Sequence, residues 1–414
     1  MKKISLWYSR LNIYYQLAPF LVFYLAICVV FAPNHFVGDE ERYVKYAHEL
    51  LRGFYSLPAP NINLWAGRGY PALIAPFLFL KLPLVVLRLI NGFLLYFSLV
   101  IVYKSIHIYA SNKVALTFTL LLALYFPAYE KLPTIETECL TWFLISAICY
   151  LFIKIFRQKN ISLKLIFLCG FVIAYLAMTK VIFGYVILAI LIVSLLMLVL
   201  PHLRLAAKKS TYIFSVALIF CLPYLIYTYS LTKNVFYWGD SGSMSLFTIS
   251  APYPNDSGDW KDYPQMKSNP NYKVFVDSIL KLTPSERDIA YKEKAIANIK
   301  KYPKKYLMNC VANVGRLLFS YPFTDMQEDV KTYFTIGPNM FVVVFMLITI
   351  GLSVFYYKKL PHELCILLFF ILIYLAGSSM VSAFRRMFYI TMPFWTVFIS
   401  YVLTNIITIK IKRN

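Results

Sequence analysis

Repeated apolar runs, each about as long as a lipid bilayer is thick, limit this chain more than any other feature of its sequence. A membrane-spanning helix needs roughly 20 predominantly apolar residues. Hydrophobic residues make up 60% of the 414 and charged residues only 14%, so too little polar surface remains to cover a soluble fold of this length. We therefore predict an all-α polytopic membrane protein with ten spans, at residues 12–33, 84–104, 112–128, 137–156, 163–179, 181–200, 211–231, 336–357, 364–380 and 389–409.

Basic residues cluster at the ends of alternate apolar runs, and this placement sets the predicted topology. The formal net charge of +22 reflects these clusters rather than a surface that binds nucleic acid. With ten spans, all the clusters fall on one side of the membrane, which the positive-inside rule assigns to the cytoplasm, with both termini inside. The basic residues are Lys2, Lys3, Arg10, Lys104, Lys113, Arg157, Lys159, Lys164, Arg204, Lys208, Lys209, Lys358, Lys359, Lys410, Lys412 and Arg413.

Two segments on the opposite, outer side are longer than simple turns. In the first, residues 34–83, aromatic and apolar side chains recur at helical spacing and predict an amphipathic helix over 41–52 at the membrane interface. An apolar stretch at 71–82 is too short to span the bilayer and predicts a second interfacial or re-entrant helix.

The second outer segment, residues 232–335, contains a well-marked helix start. Thr283 as N-cap, Pro284 at the first helical position and Glu286 form a capping-box pattern, and Pro303 limits the helix. A further amphipathic stretch follows at 304–319. The predicted organisation is an N-terminal transmembrane module with the first outer loop, this outer segment, and C-terminal spans, at 1–231, 232–335 and 336–414.

A run of charged residues directly follows the first span. One interpretation is that Asp39 caps the amphipathic helix while Glu40 and Glu41 favour its dipole. The other is that Asp39 acts as a general base at the membrane surface, held rigidly by the helix behind the span. A carboxylate has several acceptor sites, so the two roles are compatible.

Further charged residues stand at other outer ends of the spans. Glu130 is expected to be solvated in the turn before span four, whereas Glu136 and Glu138 approach the span, where ionisable groups usually face a cavity or a partner. Arg385 and Arg386 form an outer basic pair, against the positive-inside bias. A planar guanidinium suits phosphate, and an ion pair with an outer carboxylate is the alternative.

Other outer residues complete the predicted site. Arg68, Lys81 and Arg88 are candidates for binding phosphate, and Arg88 can equally extend to lipid headgroups. Lys180, in a tight outer turn, is expected to anchor the chain at the interface. The remaining candidates for substrate contact, the aromatic ones by stacking on a sugar, are Arg42, Tyr43, Trp65 and Tyr70.

The segment Asp39-Glu40-Glu41-Arg42-Tyr43 resembles the first outer loop of GT-C glycosyltransferases, above all the bacterial branch of lipid A aminoarabinose transferases and protein O-mannosyltransferases. The resemblance covers most of the chain in its order of parts, with the specific residues concentrated in 38–92. The C-terminal soluble region of many relatives has no counterpart in this sequence, so the acceptor class does not carry over. Three further segments are similar to the same branch: Arg68-Gly69-Tyr70-Pro71, Arg88-Leu89-Ile90-Asn91 and Phe384-Arg385-Arg386-Met387.

This resemblance implies a GT-C-like bundle that transfers a sugar from a polyprenyl-phosphate carrier to a glycan, lipid or protein acceptor. The reaction would take place at the outer face of a bacterial inner membrane. Asp39 aligns with the family's catalytic acidic position and would be the general base, and Glu40 would orient the acceptor or the base. Because the leaving group is a phosphate monoester, the chemistry needs one base and cations where phosphate charge develops, but no protonating acid.

Two other functions stay open at this point. A polymerase or ligase of polyprenyl-diphosphate glycans would use the same outer cations, although the acidic first loop favours a monophosphate donor. A transporter or flippase of lipid-linked glycans would carry ionisable residues near mid-membrane, whereas the unusual charges here lie near one interface. No cofactor is expected, because the five histidines lack metal-ligand spacing; a divalent cation beside the carboxylates is left open.

Overall fold

The computed structural model describes residues 11–322 and 330–407, and every regular element in those ranges is a helix. The terminal basic residues Lys2, Lys3, Arg10, Lys410, Lys412 and Arg413, used above to orient the chain, lie outside the described residues. The α-helices are α1 Ile13–Val30, α2 Glu40–Leu51, α3 Gly69–Phe79, α4 Leu84–His107, α5 Asn112–Ala123, α6 Glu138–Arg157, α7 Leu163–Thr179, α8 Ile182–Met197, α9 Arg204–Thr232, α10 Ser241–Ile249, α11 Tyr263–Ser268, α12 Pro270–Ile279, α13 Pro284–Lys301, α14 Pro303–Phe319, α15 Val330–Phe355, α16 His362–Val381, α17 Arg385–Tyr389 and α18 Met392–Tyr401.

Each of the ten predicted spans corresponds to an apolar helix. Six of these, α1, α4, α6, α9, α15 and α16, are long and apolar enough to cross a membrane, and α5, α7, α8 and α18 are shorter. Several predicted spans run past the ends of their helices, and two of these ends have a clear cause. Helices α5 and α8 end at Ala123 and Met197, four residues before Pro127 and Pro201, because a proline ring clashes with the carbonyl four residues earlier in an α-helix.

The apolar helices share one hydrophobic core. Helix α4 packs against α1 on one side and α6 on the other, and α9 packs against α7 and α8. The last helix, α18, lies against α4, α5 and α6, where Trp395 and Phe398 are fully buried. This packing brings the end of the chain back to its beginning, so side chains before α18 can meet those that follow α1.

The two outer segments are also helical. Helix α2 begins one residue before the predicted start of 41–52, and the short apolar piece predicted at 71–82 is α3. The capping box of Thr283 and Glu286 is present at the start of α13, as predicted. Helices α10 to α13 enclose a second, smaller apolar core, which contains Met244, Phe247, Ala251, Met266, Tyr272, Val276, Ile279, Tyr291 and Ala295.

The two outer segments meet at the same end of the bundle, which we call the loop face. The backbone N–H of Leu64 donates to Asp240 Oδ2 at 3.0 Å, and the N–H of Asp240 returns a bond to the Leu64 carbonyl at 3.2 Å. At Gly69 a Cβ atom would stand 2.3 Å from Thr179 Oγ1. Only glycine therefore allows the start of α3 to lie this close to the end of α7.

Candidate active site

Asp39 stands between α1 and α2 at the loop face. Its side chain makes no capping bond to α2, so the capping interpretation is wrong for this side chain. Instead, Arg42 Nη1 donates to Asp39 Oδ1 at 2.6 Å, and Arg386 Nη2 donates to Asp39 Oδ2 at 3.2 Å. Arg42 reaches back because residues three apart share one face of a helix.

Arg386 joins the three charged ends that the sequence singled out. Besides Asp39, its Nη1 lies 3.4 Å from Glu136 Oε1 and 3.9 Å from Glu138 Oε1. Gly38, at φ +60°, lets the backbone before Asp39 lie close to Glu136, because a Cβ atom at Gly38 would stand 3.0 Å from Glu136 Oε1. The structure therefore brings together the exit of α1, the start of α6 and the start of α17.

Two lysines belong to this cluster that sequence reasoning missed or misplaced. Lys131 Nζ lies 2.5 Å from Glu136 Oε2, and Lys180 Nζ lies 2.8 Å from Glu138 Oε1. The expectation that Lys180 only anchors the interface is wrong, since its ammonium pairs with a carboxylate that is almost fully buried. The sequence signal that singled out Arg386 could also have found these lysines, because both lie on the predicted outer side, where the positive-inside rule disfavours cations.

The cluster, defined by Asp39, Glu136, Glu138, Arg42, Lys131, Lys180 and Arg386, contains three carboxylates and four cations. Burial acts to lower the pKa of Arg386, but the carboxylates of Glu138, Glu136 and Asp39 outweigh it and raise that pKa above its usual value. Burial likewise acts to lower the pKa of Lys131, and Glu136 and Glu138 raise it on balance. Both side chains are therefore cations at every physiological pH.

Exposure distinguishes the three acidic side chains. The Asp39 side chain is 22% exposed, whereas those of Glu136 and Glu138 are 2% and 1% exposed. A base must lie within hydrogen-bond reach of the proton that it removes. In this structure Asp39 is the carboxylate of the cluster that a molecule at the loop face can reach.

Glu40 lies behind Asp39 and is fully buried. Its Oε1 accepts from the backbone N–H of Ile135 at 2.6 Å, and its Oε2 accepts from that of Val37 at 2.8 Å. Arg88 Nη2 lies 3.5 Å from the same carboxylate, while its Nη1 donates to the Pro33 carbonyl at 3.0 Å. Neither side chain faces the surface: Glu40 ties the start of α2 to the backbone just before α6, and Arg88 supports it.

Arg68 and Lys81, predicted to bind phosphate, are not part of the cluster. The Arg68 guanidinium is almost fully buried and donates to the carbonyls of Tyr55, Ala66 and Asn63 at 2.7 to 3.0 Å. It holds the first outer loop together, so the phosphate interpretation of Arg68 is wrong for this conformation. Lys81 is exposed just after α3 and forms no ion pair with the residues that the structure describes.

Arg385 points to the other side of α17 from Arg386. Its Nη2 lies 3.0 Å from Glu130, whose side chain is 37% exposed. The ion pair that the sequence left as an alternative is thus present for both arginines. The expectation that Glu130 is only a solvated turn residue was incomplete, since it holds Arg385.

A set of buried polar atoms without protein partners surrounds Glu138. Tyr70 Oη and Tyr389 Oη lie within electrostatic reach of this carboxylate, and neither they nor Glu138 Oε2 has a hydrogen-bond partner within the described residues. Tyr43 packs edge-on against Tyr70, with ring centroids 5.5 Å apart. Buried polar atoms normally find partners, so this hydroxyl-lined spot is suited to a polar guest or to water.

No group of three or more His, Cys, Asp or Glu side chains within the described ranges is arranged to hold a metal ion. Lys131, Lys180 and Arg386 pair with the carboxylates of the cluster. The cluster therefore balances its acidic charge with its own side chains.

No protein-family model matches this sequence, and no curated protein matches it. Among solved structures, the Archaeoglobus fulgidus oligosaccharyltransferase, tethered with an acceptor peptide containing the NVT sequon, is similar with a TM-score of 0.49 and 14% identity over 94% of this chain. The present chain spans 49% of the length of that protein. ArnT from Cupriavidus metallidurans, bound to undecaprenyl phosphate, is similar with a TM-score of 0.40 and 11% identity, over 88% of this chain and 77% of ArnT.

Proposed function

We propose that this chain is a membrane glycosyltransferase that moves a sugar from a polyprenyl-phosphate donor to a glycan, lipid or protein acceptor. The reaction takes place at the loop face, on the outer side of a bacterial inner membrane, with both termini in the cytoplasm. One observation carries the proposal: the reachable carboxylate of Asp39 lies within hydrogen-bond distance of both Arg42 and Arg386. A base and cations thus stand side by side at the membrane boundary.

The transfer follows from these groups. Asp39 accepts the proton of the acceptor hydroxyl as the acceptor oxygen bonds to the anomeric carbon of the sugar. The bond from that carbon to the donor phosphate breaks, and polyprenyl phosphate leaves with the electron pair. Cations at the developing phosphate charge lower the barrier most in a site shielded from water, and Arg386 is the candidate in this position.

We assign the donor sugar to the region of the buried polar atoms near Glu138. Sugar hydroxyls both donate and accept hydrogen bonds, and the Glu138 carboxylate and the tyrosine hydroxyls of Tyr70 and Tyr389 offer the complementary atoms. Lys180 keeps Glu138 ionised as an acceptor. In this proposal Glu138 orients the donor sugar rather than reacting with it.

The distribution of charge favours this function over the two alternatives. A diphosphate donor carries more negative charge, and each of the four cluster cations already pairs with a carboxylate. A transporter requires ionisable groups along the membrane path. In the described spans, the charged residues lie within about two turns of a helix end, as Arg88, Glu138, Lys154 and Lys209 do.

Sugar transfer in proteoliposomes tests the proposal. With a polyprenyl-phosphate sugar as donor and membrane extract of the source cell as acceptor, Asp39→Asn should lower turnover by about 10²–10⁴-fold, the range for removal of an acid–base group. Glu41→Gln is the matched control, since Glu41 is an exposed carboxylate two residues away on α2. Equal turnover in Asp39→Asn and wild type would remove Asp39 from the mechanism. Movement of lipid-linked glycan across the membrane without sugar transfer would refute the proposal that the chain is an enzyme.

A further inference from the structure

A cavity of about 400 Å³ opens at the loop face, apart from the charged cluster. The first outer loop forms one wall with Asn61, Asn63 and Trp65, and the second outer segment forms the other with residues from α10 to α13. Its volume falls within the roughly 300–1,000 Å³ of small-molecule sites. None of the cluster residues lines it, so it is a separate feature of the molecule.

Planar polar groups in the wall of this cavity lack partners. Asp240 Oδ1, Asp288 Oδ1 and Arg287 Nε are buried and have no hydrogen bond within the described residues. The opposite oxygen of each carboxylate is held: Asp240 Oδ2 accepts from Leu64 N–H at 3.0 Å, and Asp288 Oδ2 accepts from the Tyr237 hydroxyl at 3.2 Å. Each carboxylate is therefore held in orientation through one of its oxygens.

Aromatic side chains complete the lining: Trp65, Tyr263 and Tyr291, which come from three different elements. A pyranose ring suits this combination, because its C–H face packs on an aromatic ring, and its hydroxyls donate to carboxylate and amide oxygens and accept from amide and guanidinium N–H groups. A lipid tail would offer no hydrogen bond to the polar side chains of this lining, at a cost, and a phosphate would be repelled by the two carboxylates.

Trp65 connects the cavity to the cluster. The Arg42 guanidinium lies over the Trp65 ring, 5.5 Å from its centroid, and Arg42 is the cation that pairs with Asp39. Trp65 thus lines the cavity and also contacts the arginine that pairs with Asp39. An acceptor seated in the cavity would be on the same face as Asp39.

From this arrangement we infer that the cavity is a carbohydrate subsite, which binds a sugar unit of the acceptor and makes a saccharide-bearing molecule the acceptor class. The role of the cavity as an acceptor subsite rests on the proposed function, whereas the binding experiment that tests the cavity does not. Binding of a free saccharide requires neither donor nor transfer.

The test is saturation-transfer NMR on the full chain in nanodiscs, with the methyl glycosides of glucose, galactose, mannose and N-acetylglucosamine as probes. At roughly 10 mM, a probe with a dissociation constant near 1 mM, which is weak binding, is readily seen. At least one probe should bind, and Trp65→Ala and Asp240→Asn should each weaken it by about tenfold. Trp65→Phe, which keeps an aromatic face, should retain most of the binding.

Two controls separate this inference from the proposed function. Trp260→Ala removes an aromatic side chain of the same outer segment that does not line the cavity and packs against Phe384 instead; it should bind as wild type does. Asp39→Asn should also bind normally even where transfer is lost. Absence of binding by all four probes, or binding that Asp39→Asn abolishes and the cavity variants leave intact, would overturn the subsite.

Discussion

Replacing Arg386 by glutamine tests whether this guanidinium holds the cluster together. Its nitrogens lie 3.2, 3.4 and 3.9 Å from the carboxylates of Asp39, Glu136 and Glu138. At these distances and an effective dielectric constant of about 20, each pair is worth roughly 4–5 kcal/mol of Coulomb energy before desolvation is subtracted.

The expected loss is smaller than the sum of the three pairs. Asp39 keeps Arg42, Glu136 keeps Lys131 and Glu138 keeps Lys180, so no carboxylate is left without a cation. We expect Arg386→Gln to lower the free energy of unfolding by about 2–4 kcal/mol, below the about 3–5 kcal/mol for breaking an isolated buried pair. Arg386→Lys keeps the charge but loses the planar fork, so its free energy of unfolding should lie between those of wild type and Arg386→Gln.

Unfolding by SDS in mixed micelles, followed by far-UV circular dichroism, measures the change. Arg385→Gln is the matched control: this neighbouring arginine pairs with the partly exposed Glu130, and such pairs contribute about 0–1 kcal/mol. A double-mutant cycle with Asp39→Asn should give a coupling energy of about 0.5–3 kcal/mol. Equal costs for Arg386→Gln and Arg385→Gln, with no coupling to Asp39, would refute the role of Arg386 as the centre of the cluster.

Two further changes test the surroundings of the site. Glu40→Gln should lower the free energy of unfolding by about 2–4 kcal/mol, because a buried carboxylate that accepts hydrogen bonds from the Val37 and Ile135 N–H groups loses its charge. Glu41→Gln, on the exposed face, should change the free energy of unfolding little. Equal effects of the two substitutions would contradict the positioning role of Glu40. Burial, with the nearby Asp288 carboxylate adding to it, raises the pKa of Asp240 from 3.8 to about 6. The folded state therefore holds the proton of the Asp240 carboxyl more tightly than the unfolded state does. As the pH rises from about 4 through 6, ionisation of Asp240 lowers the free energy of unfolding. Asp240→Asn should gain up to about 3 kcal/mol relative to wild type between pH 4 and pH 7.5, and a pH-independent difference in unfolding free energy would show that Asp240 titrates normally.

Local patterns in the sequence determined the helices and their ends. The apolar runs predicted all ten bundle helices, and the cap at Thr283 predicted the start of α13. These predictions depend on hydrogen bonds and periodicities that span only a few residues, and such signals can be read directly along the chain. Where a boundary was missed, at Ala123 and Met197, the cause was equally local: a proline four residues on.

Tertiary structure decided which charges meet. Asp39 and Arg386 are 347 residues apart, and only the packing of α18 against the early helices brings them within 3.2 Å. The folding of the first outer loop likewise buried Arg68, and the contact of Glu40 with the backbone of Ile135 buried Glu40, although both residues read as surface charges in the sequence. A side chain's type fixes what it can bind, but its burial and its distant partners depend on how whole helices pack, and the sequence near a residue does not contain that information.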